Sequence, residues 1–141
     1  MSLTFSIIQT DLHWENKKAN LQMLEEKINS IQQKTQVVVL PEMFSTGFSM
    51  NASVLAETMN GETVEWMKRI AEQKKIILTG SLIIEDDKKY YNRLIWMLPN
   101  GNHGFYNKRH CFAYAGEDKF YTSGNKSCLL YTSDAADDLL C

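Results

Sequence analysis

Two charged residues in this sequence have the types needed for acyl-transfer chemistry. Glu42 follows the apolar run Val37–Leu40 and Pro41, and Lys108 lies in a polar stretch much later in the chain. A carboxylate can take a proton from a nucleophile, and a fixed ammonium group can stabilise the oxyanion of a tetrahedral intermediate. Such a site also needs an activated nucleophile. The sequence therefore indicates two of the three parts of an acyl-transfer site.

An α/β domain is predicted around these two residues. Val37–Leu40 is apolar on both faces, as expected for a central strand covered by helices, and Pro41 ends it. Apolar residues from Trp14 to Ile31 recur at spacings of three and four, which predicts an amphipathic helix, and a second helix is predicted around Val64–Ala71. The other predicted strands are Leu3–Ile8, Ile76–Ile84, Arg93–Leu98 and Gly104–Lys108. Glu42 is thereby placed at the C-terminal end of a buried strand.

The composition excludes several classes of protein. The 141 residues are 44% hydrophobic and 23% charged, which suits one domain with its own core. A net charge of -2 provides no basic surface for nucleic acid or anionic lipid. No apolar run approaches the roughly 18 residues of a membrane span, and the first residues do not resemble a signal peptide, so a cytoplasmic location is expected. The sequence shows no metal-ligand cluster and no nucleotide-binding glycine loop, so no cofactor is expected.

The final segment, residues 127–141, differs from the rest of the chain. It includes Tyr131–Asp138, which has neither strand nor helix periodicity. We interpret residues 127–141 as a tail derived from an adapter or vector and residues 1–126 as the domain proper.

Four segments in order resemble the nitrilase, or carbon-nitrogen hydrolase, superfamily. They are Pro41–Phe44, Gly80–Ser81, Tyr91–Arg93 and Tyr106–His110. The resemblance implies an α-β-β-α sandwich, of which this chain is the N-terminal half. It also implies a site that combines Glu, Lys and Cys.

Three further segments resemble the omega-amidase branch of that superfamily. They are Trp14–Asn20, Thr46–Met50 and Ala115–Glu117. The resemblance implies hydrolysis of the terminal amide of 2-oxo dicarboxylic acid monoamides, such as 2-oxoglutaramate and 2-oxosuccinamate. It also implies a homodimer for the whole enzyme.

The resemblance implies roles for individual residues of this chain. Glu42 corresponds to the general base, Lys108 to the group that stabilises the oxyanion, and Glu117 to the glutamate that orients them. Each has a simpler reading: a strand-end glutamate that caps a loop, a solvated lysine and a solvent-facing loop acid. Phe44, Phe48 and Met50 are candidates for lining the substrate pocket, although such residues equally often form plain core.

The nucleophile is the missing part. In the family the nucleophilic cysteine follows a further strand beyond the lysine, in a Cys-Tyr-Asp or Cys-Tyr-Glu context that Cys128 lacks, and Cys111 is too close to Lys108. We therefore expect the chain alone to be inactive and to expose the sheet face that the other half covers. Two alternatives are a non-catalytic nitrilase-like binding or regulatory module, and an unrelated α/β domain in which Glu42 and Lys108 lie far apart.

Overall fold

One mixed five-stranded sheet forms the centre of the molecule. The computed structural model describes residues 2–127 and the backbone pairing of residues 129–130 and 139–140. The strands of the sheet are, in chain order, β1 (Phe5–Ile7), β2 (Val37–Val39), β3 (Ile77–Asp86), β4 (Lys89–Met97) and β5 (His103–Asn107). Their order across the sheet is the same as their order in the chain. β1, β2 and β3 run parallel, whereas β3, β4 and β5 form antiparallel hairpins.

Two long helices connect the parallel strands. The helices of the chain are α1 (Lys17–Asn29), α2 (Ala52–Leu55), α3 (Glu62–Lys74) and α4 (Glu117–Phe120), with a 3-10 helix at Ala113–Ala115. The side chain of Asn16 caps α1 by accepting a hydrogen bond from the Ala19 N–H at 3.1 Å. Glu62 and Glu65 lie in the first turn of α3, where negative charge is favourable.

The main core lies between the sheet and these two helices. Strand register places Val38, Leu78 and Met97 on the same face, because directly opposed residues of neighbouring strands share a face. Leu24 of α1 and Met67 of α3 are fully buried against this face. Burial of such a side chain stabilises the fold by about 1.5–3 kcal/mol. The predicted α/β fold is confirmed.

The opposite face of the sheet is covered less well. Phe5 and Ile7 of the edge strand β1 are 52% and 76% exposed, and Leu94 and Trp96 of β4 are only partly buried. This agrees with the expected exposure of apolar surface on that face.

Several details differ from the sequence-based prediction. β3 and β4 extend to a tight turn in which both Asp87 and Lys88 have positive φ, of 50° and 61°. The helices α2 and α4 are too short for hydrophobic periodicity to reveal them. The predicted tail is described only through residue 127 and by two short strands, β6 (Leu129–Leu130) and β7 (Leu139–Leu140), which pair with each other. Its origin stays a prediction.

The described residues also bear on membrane and metal binding. None of their helices is long and apolar enough to cross a membrane. Nor do they contain a group of three His, Cys, Asp or Glu side chains that could hold a metal ion.

Candidate active site

Hydrogen bonds to β3 hold the loop that carries Glu42. The N–H of Leu40 donates to the Thr79 carbonyl at 2.7 Å, so the strand pairing continues just past β2. Met43 then takes a left-handed conformation with φ of 49°, and its N–H donates to Ser81 Oγ at 2.9 Å. The Phe44 N–H donates to the Ser81 carbonyl at 3.1 Å. Glu42 therefore lies on a backbone that is tied to the sheet on both sides.

Lys108 is held at the end of β5 through its main chain. Its N–H donates to the Asn92 carbonyl at 2.8 Å, and its carbonyl accepts from the Gly124 N–H at 3.0 Å. A Cβ atom on Gly124 would overlap the Asn107 carbonyl oxygen, so glycine permits this close approach of two backbone segments. The lysine side chain consequently starts from a fixed position.

Glu117 begins the short helix α4, and its side chain is fully buried. Its carboxylate accepts hydrogen bonds from the Phe112 N–H, from Asn92 Nδ2 at 3.0 Å and from Lys108 Nζ at 3.0 Å. A buried carboxylate is stable only with such compensation. Glu117 therefore does not face solvent as a loop acid.

Glu42, Lys108 and Glu117 form one hydrogen-bonded cluster. Lys108 Nζ lies 2.8 Å from Glu42 Oε1 and 3.0 Å from Glu117 Oε2, so one ammonium bridges two carboxylates. The Glu42 side chain is 48% exposed, and no described residue donates a hydrogen bond to its Oε2. The three predicted residues thus meet, and one oxygen of Glu42 stays available. A chance resemblance, which required Glu42 and Lys108 to lie far apart, is contradicted.

The cluster shifts the pKa values of two of its members. Burial alone would lower the pKa of Lys108, but hydrogen bonds to Glu42 and Glu117 outweigh that effect, and its pKa is raised. Burial would raise the pKa of Glu117, but hydrogen bonds from Phe112, Asn92 and Lys108 leave it below the ordinary value. Both shifts favour the charged forms, a lysine ammonium beside an ionised Glu117.

Asn92 is a member of the cluster that was quoted only as part of the family-like segment Tyr91–Arg93 and was not predicted to belong to the site. Its Nδ2 donates to Glu42 Oε1 at 2.8 Å and to Glu117 Oε1 at 3.0 Å, and the residue is only 2% exposed. The signal that could have found it is its place in that segment, as a neutral polar residue in a predicted sheet region just before the apolar run Leu94–Met97.

The three candidate pocket residues occupy different places. Phe44 is fully buried in the main core, with its ring centroid 5.9 Å from that of Trp66, so it does not line the site. Met50 packs in a second, smaller core with Met43 and Tyr121. Only Phe48 approaches the cluster, with its ring centroid 5.4 Å from Lys108 Nζ. Phe44 is therefore a core residue, whereas Phe48 and Met50 are both partly buried against the second core.

Two open cavities meet at Glu42 and Lys108. One, of about 290 Å³, is lined also by Ser81, Asn92 and Tyr106. The other, of about 500 Å³, is lined also by two aromatic rings, an imidazole and a thiol, those of Phe48, Phe112, His110 and Cys111. Cys111 is a free, partly buried thiol, whereas Cys128 lies outside the described residues.

Comparisons with known proteins identify the family of this chain. Residues 4–129 match the carbon-nitrogen hydrolase family, slightly past the predicted boundary at Lys126. The chain belongs to this family. The predicted superfamily and its omega-amidase branch are supported by the relatives below.

Curated relatives of the chain are named as omega-amidases or as an amidase of 2-oxoglutaramate. The chain is 35% identical over 127 residues to the omega-amidase YafV of Yersinia enterocolitica, covering 89% of this chain and 48% of that protein. It is 33% identical to the Escherichia coli K12 omega-amidase YafV, with coverages of 87% and 47%. A 2-oxoglutaramate amidase of Bacillus subtilis is 26% identical, with coverages of 89% and 50%. The chain therefore spans about half the length of the curated relatives it matches.

Solved carbon-nitrogen hydrolases share the fold. A Xanthomonas campestris member of the superfamily, crystallised with an arsenic adduct in its active site, superposes with a TM-score of 0.86 at 30% identity. The alignment covers 92% of this chain and 49% of that one. Saccharomyces cerevisiae Nit3, of the nitrilase superfamily, superposes with a TM-score of 0.75 at 26% identity, with coverages of 92% and 52%.

Proposed function

We propose that this chain is the base-and-lysine half of an amidase that hydrolyses the terminal amide of 2-oxo dicarboxylic acid monoamides. The observation that carries the proposal is the bridge from Lys108 Nζ to both Glu42 and Glu117. Relatives at 33% to 35% identity are omega-amidases, which supports the substrate class.

Glu42 is the general base in this proposal. Its Oε1 is occupied by Lys108 and Asn92, so Oε2 is the atom that takes the proton of the attacking thiol. The thiolate then attacks the amide carbon, Glu42 passes its proton to the leaving nitrogen, ammonia departs, and an acyl-enzyme forms. In the second step Glu42 removes a proton from water, which attacks the acyl group. The proton then passes from Glu42 to the sulfur, so that the acid and the thiol are released.

Lys108 stabilises the oxyanion of each tetrahedral intermediate. A fixed cation beside developing negative charge contributes on the order of 3 kcal/mol. Glu117 keeps the lysine charged and oriented, since its buried carboxylate accepts a 3.0 Å hydrogen bond from Nζ. A chain acting only as a binding module would not need this charge network, so the network favours the enzyme over that alternative.

The nucleophile comes, in this proposal, from family sequence that follows the segment matched here. The curated relatives are about twice as long as the matched segment. Cys111 is not assigned this role, although its thiol lines a cavity with Glu42 and Lys108. The chain on its own is therefore proposed to be inactive. The homodimer implied by the resemblance and the cytoplasmic location expected from the sequence also stay predictions.

A chimera tests the proposal directly. Residues 1–126 are joined to the C-terminal half of the Yersinia omega-amidase, and ammonia release from 2-oxoglutaramate is measured. We expect activity in the chimera, none in the 141-residue chain, and a loss of about 10²-fold or more in Glu42→Gln and Lys108→Met variants. Glu72→Gln, a change at an exposed residue of α3, is the matched control. A folded chimera without activity, beside an active Yersinia enzyme, would overturn the proposed function.

A further inference from the structure

Asn92 links the two carboxylates of the cluster from a buried position on β4. It pairs with Ile83 of β3 in the sheet, and its carbonyl accepts the Lys108 N–H at 2.8 Å. Its backbone thus positions the lysine, while its side chain contacts both Glu42 and Glu117. Asn92 is therefore in contact with all three charged residues of the site.

The orientation of the Asn92 amide follows from its neighbours. Ionised carboxylates only accept hydrogen bonds, so the nitrogen of the amide, with its two hydrogens, must face them. The two distances, 2.8 Å to Glu42 Oε1 and 3.0 Å to Glu117 Oε1, assign one hydrogen to each acid. No other neutral side chain among the described residues spans both carboxylates.

Stability alone does not account for an asparagine here. Its Oδ1 is buried and accepts no hydrogen bond from any described residue. An unsatisfied buried acceptor is unfavourable, and each such group in a folded protein requires an explanation. The hydrogen bonds of the amide nitrogen provide this explanation. They restrain Glu42, the base, and Glu117, the residue that orients Lys108.

We infer that Asn92 is a positioning residue that directs the free oxygen of Glu42 toward the reacting atoms. This inference rests on the proposed function of the site. By holding Oε1 of Glu42, Asn92 and Lys108 leave Oε2 as the proton acceptor. By holding Oε1 of Glu117, Asn92 leaves Oε2 for Lys108 and the Phe112 N–H. A hydrophobic side chain at this position would remove one hydrogen bond from each carboxylate at once.

Carboxylate titration of the 141-residue chain tests the inference without any activity measurement. Glutamate side chains are labelled with ¹³C, and the pKa of Glu117 is followed by NMR in the wild type and in Asn92→Leu. The Asn92 hydrogen bond favours the ionised form of Glu117, so its pKa rises in the variant. Asn92→Asp, which keeps the size but replaces the amide with a third acid, raises it as well. If both variants fold and the pKa of Glu117 stays at the wild-type value, the inference is overturned.

Thr79→Val is the control for a purely structural loss. Thr79 is also buried in this sheet, and its Oγ1 donates to the Ile95 carbonyl at 2.9 Å, away from the carboxylates. We expect Thr79→Val to lower the unfolding midpoint without changing the pKa of Glu117. If Thr79→Val shifts the pKa of Glu117 as much as Asn92→Leu does, the role of Asn92 is only structural and the inference is overturned.

The chimera adds a kinetic readout. Asn92→Leu is expected to lower kcat about 10²-fold with KM little changed, because misplacement of a base slows the chemical step. An unchanged kcat, or an effect confined to KM, would overturn the inference. An inactive parent chimera would defeat the proposed function alone, since the titration of Glu117 still decides whether Asn92 restrains the acids.

Discussion

Lys108 Nζ lies 2.8 Å from Glu42 Oε1 although the two residues are 66 positions apart in the chain. Their strands, β5 and β2, are not neighbours in the sheet, since β3 and β4 lie between them. The contact therefore depends on the loop after β2, which Ser81 holds against β3, and on the reach of a long lysine side chain. The site is a product of the whole sheet rather than of one hairpin.

The buried Glu117 carboxylate should make the stability of the chain depend on acid pH. Its pKa is lowered in the folded state, so the folded chain binds this proton less tightly than the unfolded chain does. The resulting stabilisation is fully present above the ordinary pKa of 4.5 and is lost as the pH falls through the lower folded value. We expect Glu117→Gln to cost about 1–3 kcal/mol at pH 7 and less at pH 3.

Urea unfolding between pH 3 and pH 7 measures this difference. Glu72→Gln on exposed α3 surface is the control and should keep the wild-type profile. Glu25, whose pKa is lowered by its hydrogen bond with Arg69, leaves some acid dependence in every variant. If the unfolding free energy changes with pH by the same slope in the wild type and in Glu117→Gln, Glu117 has the same pKa in the folded and unfolded chain, which contradicts this prediction.

Sequence patterns were sufficient for the elements that carry the site but not for its full membership. The apolar run before Pro41 and the polar stretch around Lys108 placed both residues at strand ends, as observed. Phe44 and Met50 could not be assigned, because a loop aromatic or methionine packs equally well in a core or a pocket. The Asn92 contacts depend on strand register, which short-range patterns do not determine.

Asn20 should be among the most sensitive polar positions of the chain. It is fully buried, and its Nδ2 donates to the carbonyls of His13 at 2.7 Å and Ser45 at 2.9 Å. Its Oδ1 also accepts the His13 N–H at 2.7 Å. Asn20→Ala leaves the His13 N–H and the Ser45 carbonyl without this partner, while the His13 carbonyl keeps the Asn16 N–H at 3.3 Å, and we expect a loss of about 3 kcal/mol in unfolding free energy.

A second asparagine on the same helix provides the control for that measurement. Asn29, at the exposed end of α1, should change the unfolding free energy by less than about 0.5 kcal/mol when replaced by alanine. Equal effects of Asn20→Ala and Asn29→Ala in urea unfolding would contradict the proposed importance of the buried amide.

Gly80 should not tolerate a side chain. A Cβ atom there would lie 2.7 Å from Phe44 and 2.8 Å from Leu40, and Phe44 has no room to move because it is fully buried. Overpacking of this kind costs about 1–3 kcal/mol, so we expect Gly80→Ala to lower the midpoint of thermal or urea unfolding. A midpoint equal to that of the wild type would show that the loop after β2 yields easily.

The exposed apolar face of β1 should drive the 141-residue chain to self-associate. β1 is an edge strand, with Phe5 and Ile7 half-exposed or more, and unprotected edges of this kind pair with other chains.

Burial of one isoleucine side chain is worth about 2 kcal/mol, so Ile7→Lys should weaken association more than about tenfold. Val54→Lys is the matched control. Val54 is exposed to nearly the same extent as Ile7, 72% against 76%, but it lies on α2 and not on the sheet. Sedimentation velocity measures both variants. A wild-type chain that stays monomeric up to about 0.1 mM, or equal weakening by the two lysine substitutions, would show that this face does not mediate association.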